Sequence, residues 1–163
     1  MDPSSDMLDY ARLKMDNKRV TFIESGFEQF NSRKKYDLVL CVHALYLMPD
    51  PKKLIPKFGT HINRTGTILI CDIGQQIKVV NWAVYLFLQN LKAYGLLKAI
   101  SILREANKIV VANREIEKKQ KCGKLWTHTL DEFKNMFGKY YKVESGLNTY
   151  RGCSNLLRCS LHR

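Results

Sequence analysis

An α/β fold is predicted for these 163 residues: parallel strands closed by an antiparallel C-terminal strand. Three observations predict it. The runs Tyr36–Val42 and Thr67–Cys71 are almost free of charge, the pattern of strands covered on both faces. Helical spacing recurs around these runs, and strands alternating with helices build layered sheets. The last two strand-like segments, Tyr140–Glu144 and Ser154–Leu161, are too close for a crossover helix. They should pair antiparallel.

Taken in chain order, the first element is a helix. Pro3-Ser4-Ser5-Asp6 opens it, because a Ser or Asp side chain accepts the orphan amides of a first turn. Met7, Leu8, Ala11 and Met15 continue it at helical spacing to an end near Asn17. Val20–Ile23 is β-branched and aromatic, which predicts a strand. Tyr36–Val42 should be a central parallel strand. Pro49-Asp50-Pro51 punctuates the chain, and Lys52–Phe58 forms a short helix with Leu54, Ile55 and Phe58 inward. Asn63-Arg64-Thr65-Gly66 predicts a turn before the buried strand that ends at Asp72.

Residues 75–104 read as one or two apolar helices broken at Gly95. The more polar 106–124 stretch predicts a mobile excursion or a loop around a site. Thr129 with Glu132 has capping-box spacing, and Gly138 ends the helix so begun. One domain spanning 1–163 is expected, with a helical insert at about 75–124 on its substrate side.

Composition narrows the function. Lys plus Arg number 27 against 15 Asp plus Glu, a formal charge of +12. The clusters at Arg33-Lys34-Lys35 and 118–121 read as solvated faces, with nucleic acid or an anionic membrane as the alternative. Five cysteines without a C-x-x-C pair argue for a reducing compartment and against a metal site. A polar, acidic opening is no signal peptide, so a cytoplasmic location is expected.

The stretch from Tyr36 to Leu45 resembles the fourth strand of class I S-adenosylmethionine (SAM)-dependent methyltransferases, the Rossmann-like group. Pro49–Phe58 resembles the helix behind it, and Asn63–Asp72 the turn and fifth strand. The ending from Tyr140 to Leu161 is similar to that family's sixth strand and antiparallel seventh. Asp2-Pro3-Ser4-Ser5-Asp6-Met7-Leu8 looks like the junction where an acidic residue ends the second strand and holds the cofactor ribose. The resemblance therefore implies a partial Rossmann-like methyltransferase sheet. Its first strand and glycine-rich turn would lie before Asp2, since no G-x-G-x-G element occurs in the chain. A chain so truncated is expected to bind SAM weakly or not at all and to be poorly soluble.

The resemblance also implies site residues. SAM is the implied cofactor, with Asp2 on its ribose and Met7, Gly26, Phe27, Glu28 and Cys41 around it. Gly26 stands where the family often carries an acid facing the adenine amine, so Phe27 or Glu28 would take that side. His43, Tyr46 and Asp72, at the C-terminal ends of the parallel strands, are the catalytic candidates, because open α/β sheets bind ligands there. Each also has a structural reading: His43 bonded to backbone, Asp72 capping the next segment. No Asn/Asp-Pro-Pro-Tyr motif is present, which lowers base N-methylation.

Methyl transfer to a small molecule or lipid is the function so implied. The aromatic residues Trp82, Tyr85, Phe87 and Tyr94 read as a helix packed on the sheet or on a homologous or different subunit, or as a lid over an apolar acceptor pocket. A catalytically inactive, methyltransferase-like interaction module is the alternative. Nucleic-acid binding rests on charge alone.

Overall fold

The computed structural model describes residues 1–15 and 19–162. The chain divides into two compact units, Met1–Lys35 and Tyr36–Arg163.

In the first unit, α1 spans Ser5–Lys14. The Ser4 hydroxyl accepts from the Met7 amide at 3.3 Å, and Leu8 is buried. The end expected near Asn17 lies outside the described residues. The strand expected at Val20–Ile23 is reduced to one parallel bridge between Asp2 and Glu24. The Asp2 amide donates to the Ile23 carbonyl and the Ser25 amide to the Asp2 carbonyl, both at 3.1 Å. Among the described residues the pairing stays at this single bridge.

The second unit is built on a four-stranded sheet: β1 (Tyr36–Val42), β2 (Ile62–Ile73), β3 (Lys142–Thr149) and β4 (Ser154–Ser160). Their order is β1-β2-β4-β3. β1 and β2 run parallel, while β4 is antiparallel to both of its neighbours. The predicted fold class is the observed one.

β1 corrects one expectation. It is an edge strand rather than a central one, and Leu38, Leu40 and Val42 are exposed while Cys41 is buried. An apolar run signals strand but not position, because it reads alike whether a neighbour is present or absent.

The turn expected at Asn63–Gly66 is absorbed into β2 as a bulge. Tyr36 pairs with Ile62, but Leu38 already pairs with Thr67. Gly66 is needed there, because a Cβ would come within 3.0 Å of the Tyr36 and Asp37 carbonyl oxygens. Asn63 Nδ2 closes the bulge on Asp37 Oδ1 at 2.6 Å.

Between β1 and β2, α2 covers only Pro51–Leu54, with the Asp50 carboxylate capping it. A 3-10 turn over Ile55–His61 completes the crossover and buries Ile55 and Phe58. Tyr141 ties this turn down: its hydroxyl donates to the Ile55 carbonyl at 2.7 Å and accepts from the Gly59 amide at 2.7 Å. Burial pushes that phenol up to about 12, so it stays protonated and able to donate.

After β2 come α3 (Val79–Tyr94), α4 (Leu96–Glu105) and α5 (Asn107–Lys121). The break falls at Gly95, whose φ of 79° suits glycine. The expected excursion over 106–124 is mostly helix instead. Lys118–Glu115 and Lys121–Glu117 pairs lie along α5, and buried Gln120 accepts from the Ile77 amide at 2.9 Å. The high polarity of this stretch is that of a solvated helix face.

The two ends of this insert meet at the sheet. The His128 amide donates to the Gly74 carbonyl at 2.7 Å, and the Gly74 amide donates to the Cys153 carbonyl at 3.0 Å. α6 (Leu130–Gly138) then starts with both halves of the predicted capping box on Thr129 and Glu132.

α6 supplies the core's aromatic centre. Phe133 and Phe137 are fully buried, with ring centroids 4.9 Å apart in a T-shaped contact. His128 stacks on Phe133 at 4.1 Å. Truncating Phe133 leaves a cavity that rigid neighbours cannot fill. Phe133→Ala should cost about 3–5 kcal/mol in denaturant unfolding. Leu97→Ala, at a position 85 % exposed, should leave the midpoint nearly unchanged.

Candidate functional site

The C-terminal ends of β1 and β2 and the N-terminal end of β4 lie together, because Ile73 pairs with Ser154 in antiparallel register. Three residues with positive φ cluster here: His43 at 48°, Tyr150 at 47° and Arg151 at 56°. Non-glycine residues rarely adopt this region, and such strain concentrates where a chain presents functional groups.

His43 is held from several sides. Its amide donates to the Cys71 carbonyl at 2.7 Å, which continues the parallel ladder one residue past β1. Its Nε2 lies 3.1 Å from Ser154 Oγ and 3.7 Å from Cys71 Sγ. The Tyr150 ring packs against the imidazole at 5.0 Å. The ring is thus fixed in place.

A cavity of about 420 Å³ opens over this histidine. Its walls include Ile73, Trp82, Leu86, Ile109, Tyr150 and Ser154, so it is largely apolar with polar atoms at one end. Trp82 is anchored by its indole N–H to Cys153 Sγ at 3.3 Å, and Arg151 stacks over Tyr85 at 4.1 Å. A larger depression of about 540 Å³ lies between α6 and β3, but it is away from the strand ends and lined by Lys134, Lys142 and Glu144.

Tyr46 and Asp72 do not share the cavity with His43. Asp72 is 0 % exposed. Its Oδ1 accepts from the Tyr46 amide at 3.3 Å, and its Oδ2 lies 3.7 Å from His128 Nε2. Burial holds its carboxyl above the usual carboxylate range, although His128 and the Tyr46 amide pull it back. Asp72 is therefore enclosed and organises the turn after β1, in line with the structural one of the two readings its sequence position allows. Tyr46 is also buried, with its phenol pushed up by burial and by Asp72. It borders a separate hollow beside Lys52 and Trp126.

The residues named for a cofactor divide between the two units. In the first, Asp2 Oδ1 accepts from the Ser4 amide at 2.8 Å. Met7 is exposed, Phe27 is buried and Glu28 is half-buried. Gly26 lies next to the side chains of Glu28 and Gln29. In the second, Cys41 is buried and its thiol is pushed up to about 12, chiefly by burial and next by Asp72, so it is an inert wall. The fit to a nucleoside cofactor is incomplete. A carboxylate and an aromatic ring are present, but the nine glycines include no G-x-G turn that lets a backbone approach such a ligand.

Sequence reasoning missed Ser154 and Tyr150 as neighbours of His43. Ser154 is 111 positions away, and local spacing carries no trace of the contact. The antiparallel pairing of β4 with β2 was the available signal, since its register sets Ser154 against Ile73.

Residues 1–70 match a family model described as a methyltransferase domain. Two solved structures are similar. One is a chain from the complex between the Haloferax volcanii Trm112 methyltransferase activator and a protein described there as a methyltransferase: TM-score 0.65, 11 % identity, 99 % of this chain and 69 % of that one covered. The other is a Bacillus halodurans C-125 protein described as a methyltransferase: TM-score 0.48, 17 % identity, 97 % of this chain and 80 % of that one covered. No curated protein matches the chain. The chain thus has a class I SAM-methyltransferase-like fold, and the family resemblance supports a general role in methyl transfer.

Asp72 carries a testable pH signature. Its raised folded-state pKa means that the native protein holds this proton more tightly than the unfolded chain does. That contribution is complete below the unfolded value and is lost as pH rises through the folded one. Asp72→Asn keeps an acceptor for the Tyr46 amide but cannot ionise. Thermal midpoints measured from pH 4 to pH 8 should fall more for wild type than for Asp72→Asn; parallel curves would remove the assignment.

Proposed function

We propose that this chain carries the acceptor side of a SAM-dependent methyltransferase whose acceptor is an apolar small molecule or lipid. The observation behind this reading is the apolar cavity with one fixed imidazole at its base, at the C-terminal ends of parallel strands in a methyltransferase-like sheet. Apolar walls with a few convergent polar groups suit a mostly hydrocarbon ligand bearing one reactive atom.

His43 is the catalytic residue in this reading. Its Nδ1, the ring nitrogen that Ser154 does not hold, accepts the proton of an acceptor hydroxyl, and the contact between Nε2 and the Ser154 hydroxyl orients the ring for that task. Tyr46 and Asp72 act at one remove: they fix the turn that follows His43. SAM, when bound, supplies a methyl group on a sulfonium. Asp2 is assigned to its ribose, and Met7, Gly26, Phe27 and Glu28 are assigned to the same ligand. Because no glycine turn is present, this chain alone is assigned weak cofactor affinity.

A second reading keeps the fold and drops the chemistry: a methyltransferase-like interaction module. The exposed apolar side chains of Leu38, Leu40 and Val42 along β1 favour it. The similar archaeal structure is itself a complex with an activator, which lends support to a protein partner.

Calorimetric titration with SAM separates the two halves of the proposal. The expected result is a dissociation constant weaker than about micromolar, a binding energy smaller than roughly 8 kcal/mol. Micromolar binding would show a complete cofactor site and overturn the assigned impairment. The cavity is tested apart from the cofactor, by quenching of Trp82 fluorescence with an apolar phenol such as 2-naphthol. Val110→Glu, at a half-buried position of the lining, should weaken that quenching about tenfold or more, since it puts a charge into an apolar wall. Unchanged quenching would remove the acceptor site.

A further inference from the structure

The α3–α4 surface combines two properties that rarely coincide. Val80, Val84 and Leu88 form a stripe at i, i+4 and i+8 along α3, and all three are exposed. Leu96 and Leu97 continue exposed apolar surface at the start of α4, past the Gly95 break. Scattered apolar residues on a surface are ordinary, whereas a contiguous stripe marks an interaction site.

The charge pattern says what kind. Between Asp72 and Glu105 the chain contains no carboxylate side chain. The same stretch carries Lys78, Lys92, Lys98 and Arg104, all exposed. Along α3 and α4 these four cations stand against one carboxylate, Glu105 at the last position of α4, and exposed apolar side chains in so cationic a setting are the composition of helices that lie in a lipid interface. Among the described residues no helix is long and apolar enough to cross a membrane, so the geometry is that of a surface layer.

We propose that α3 and α4 dock this protein onto an anionic lipid surface, with Val80, Val84, Leu88, Leu96 and Leu97 entering the acyl boundary and the four cations meeting phosphate groups. A second copy of the chain fits less well, because the same surface would oppose four cations to four. Nucleic acid would satisfy the cations but leave the apolar stripe in water. The docking stands on this surface alone. It adds to the functional reading that Leu86 and Ile109, which line the cavity over His43, are also exposed within the same helical layer. An acceptor with a hydrocarbon chain would then pass from the bilayer into the cavity without crossing water.

Co-sedimentation of the full chain with vesicles tests the docking without reference to methyl transfer. Phosphatidylglycerol–phosphatidylcholine vesicles should pellet the protein and pure phosphatidylcholine should not. Salt near 1 M, where the Debye length is about 3 Å, should release it. Lys92→Gln and Lys98→Gln should each weaken binding about fivefold, the worth of one basic residue near an anionic surface. Val84→Asp with Leu88→Asp should abolish it while circular dichroism and melting stay native. Hydrogen exchange of the wild type, which needs no variant, should slow in α3 and α4 on vesicles and not in β3 and β4. Equal binding to neutral vesicles, vesicle binding untouched by the α3 variants, no protection of α3 and α4, or RNA displacing the vesicles would each overturn the proposal. So would a dimer in light scattering that Val84→Asp dissociates.

Discussion

The second unit depends on β2 being paired along both of its edges, parallel to β1 on one side and antiparallel to β4 on the other. Ile68 and Ile70 along it are fully buried. The two pairings have opposite polarity, and that decides where chemistry can occur. A parallel neighbour puts its C-terminal end, and hence His43, beside the C-terminal end of β2. An antiparallel neighbour puts its beginning, and hence Ser154, at the same place. The imidazole–hydroxyl contact is therefore a by-product of mixed sheet topology, set by register rather than by any local motif.

Much of this was legible in the sequence. The runs at 36–42 and 67–71, the Gly95 break, the capping box on Thr129 and the antiparallel ending each rest on a local rule that tertiary packing had no cause to override. The failures share a different cause. Val20–Ile23 has strand propensity, but a strand needs a partner, and propensity does not report one. Leu38, Leu40 and Val42 read as buried for the same reason. High polarity over 106–124 reads alike for a loop and for a solvated helix, and the Lys118–Glu115 and Lys121–Glu117 pairs at i, i+3 and i, i+4 belong to the helix.

The candidate site was less legible than the fold. His43 was found because strand ends in open sheets are where ligands bind. Tyr46 and Asp72 were drawn in by the same rule, which predicts proximity to the strand ends and not exposure. Asp72 is near the right place but faces inward, toward His128 and the turn amide. An acidic residue at the end of a strand has two ways to satisfy its oxygens, a ligand or the backbone it abuts, and only coordinates choose between them.

The neck at Gly74 and His128 has a broader consequence. One amide–carbonyl contact closes off everything from residue 75 to residue 127, and a Cβ at Gly74 would collide with Asn155 and with the His128 carbonyl. The segment hanging from it returns to the sheet at few points, Gln75 and Trp82 on Cys153 among them. Loop-closure cost grows only slowly with length, so a longer or shorter appendage could be grafted at this junction with little thermodynamic penalty. The architecture thus separates inheritance from innovation: the sheet can persist unchanged while the appended layer is exchanged wholesale to meet a new surface or a new ligand.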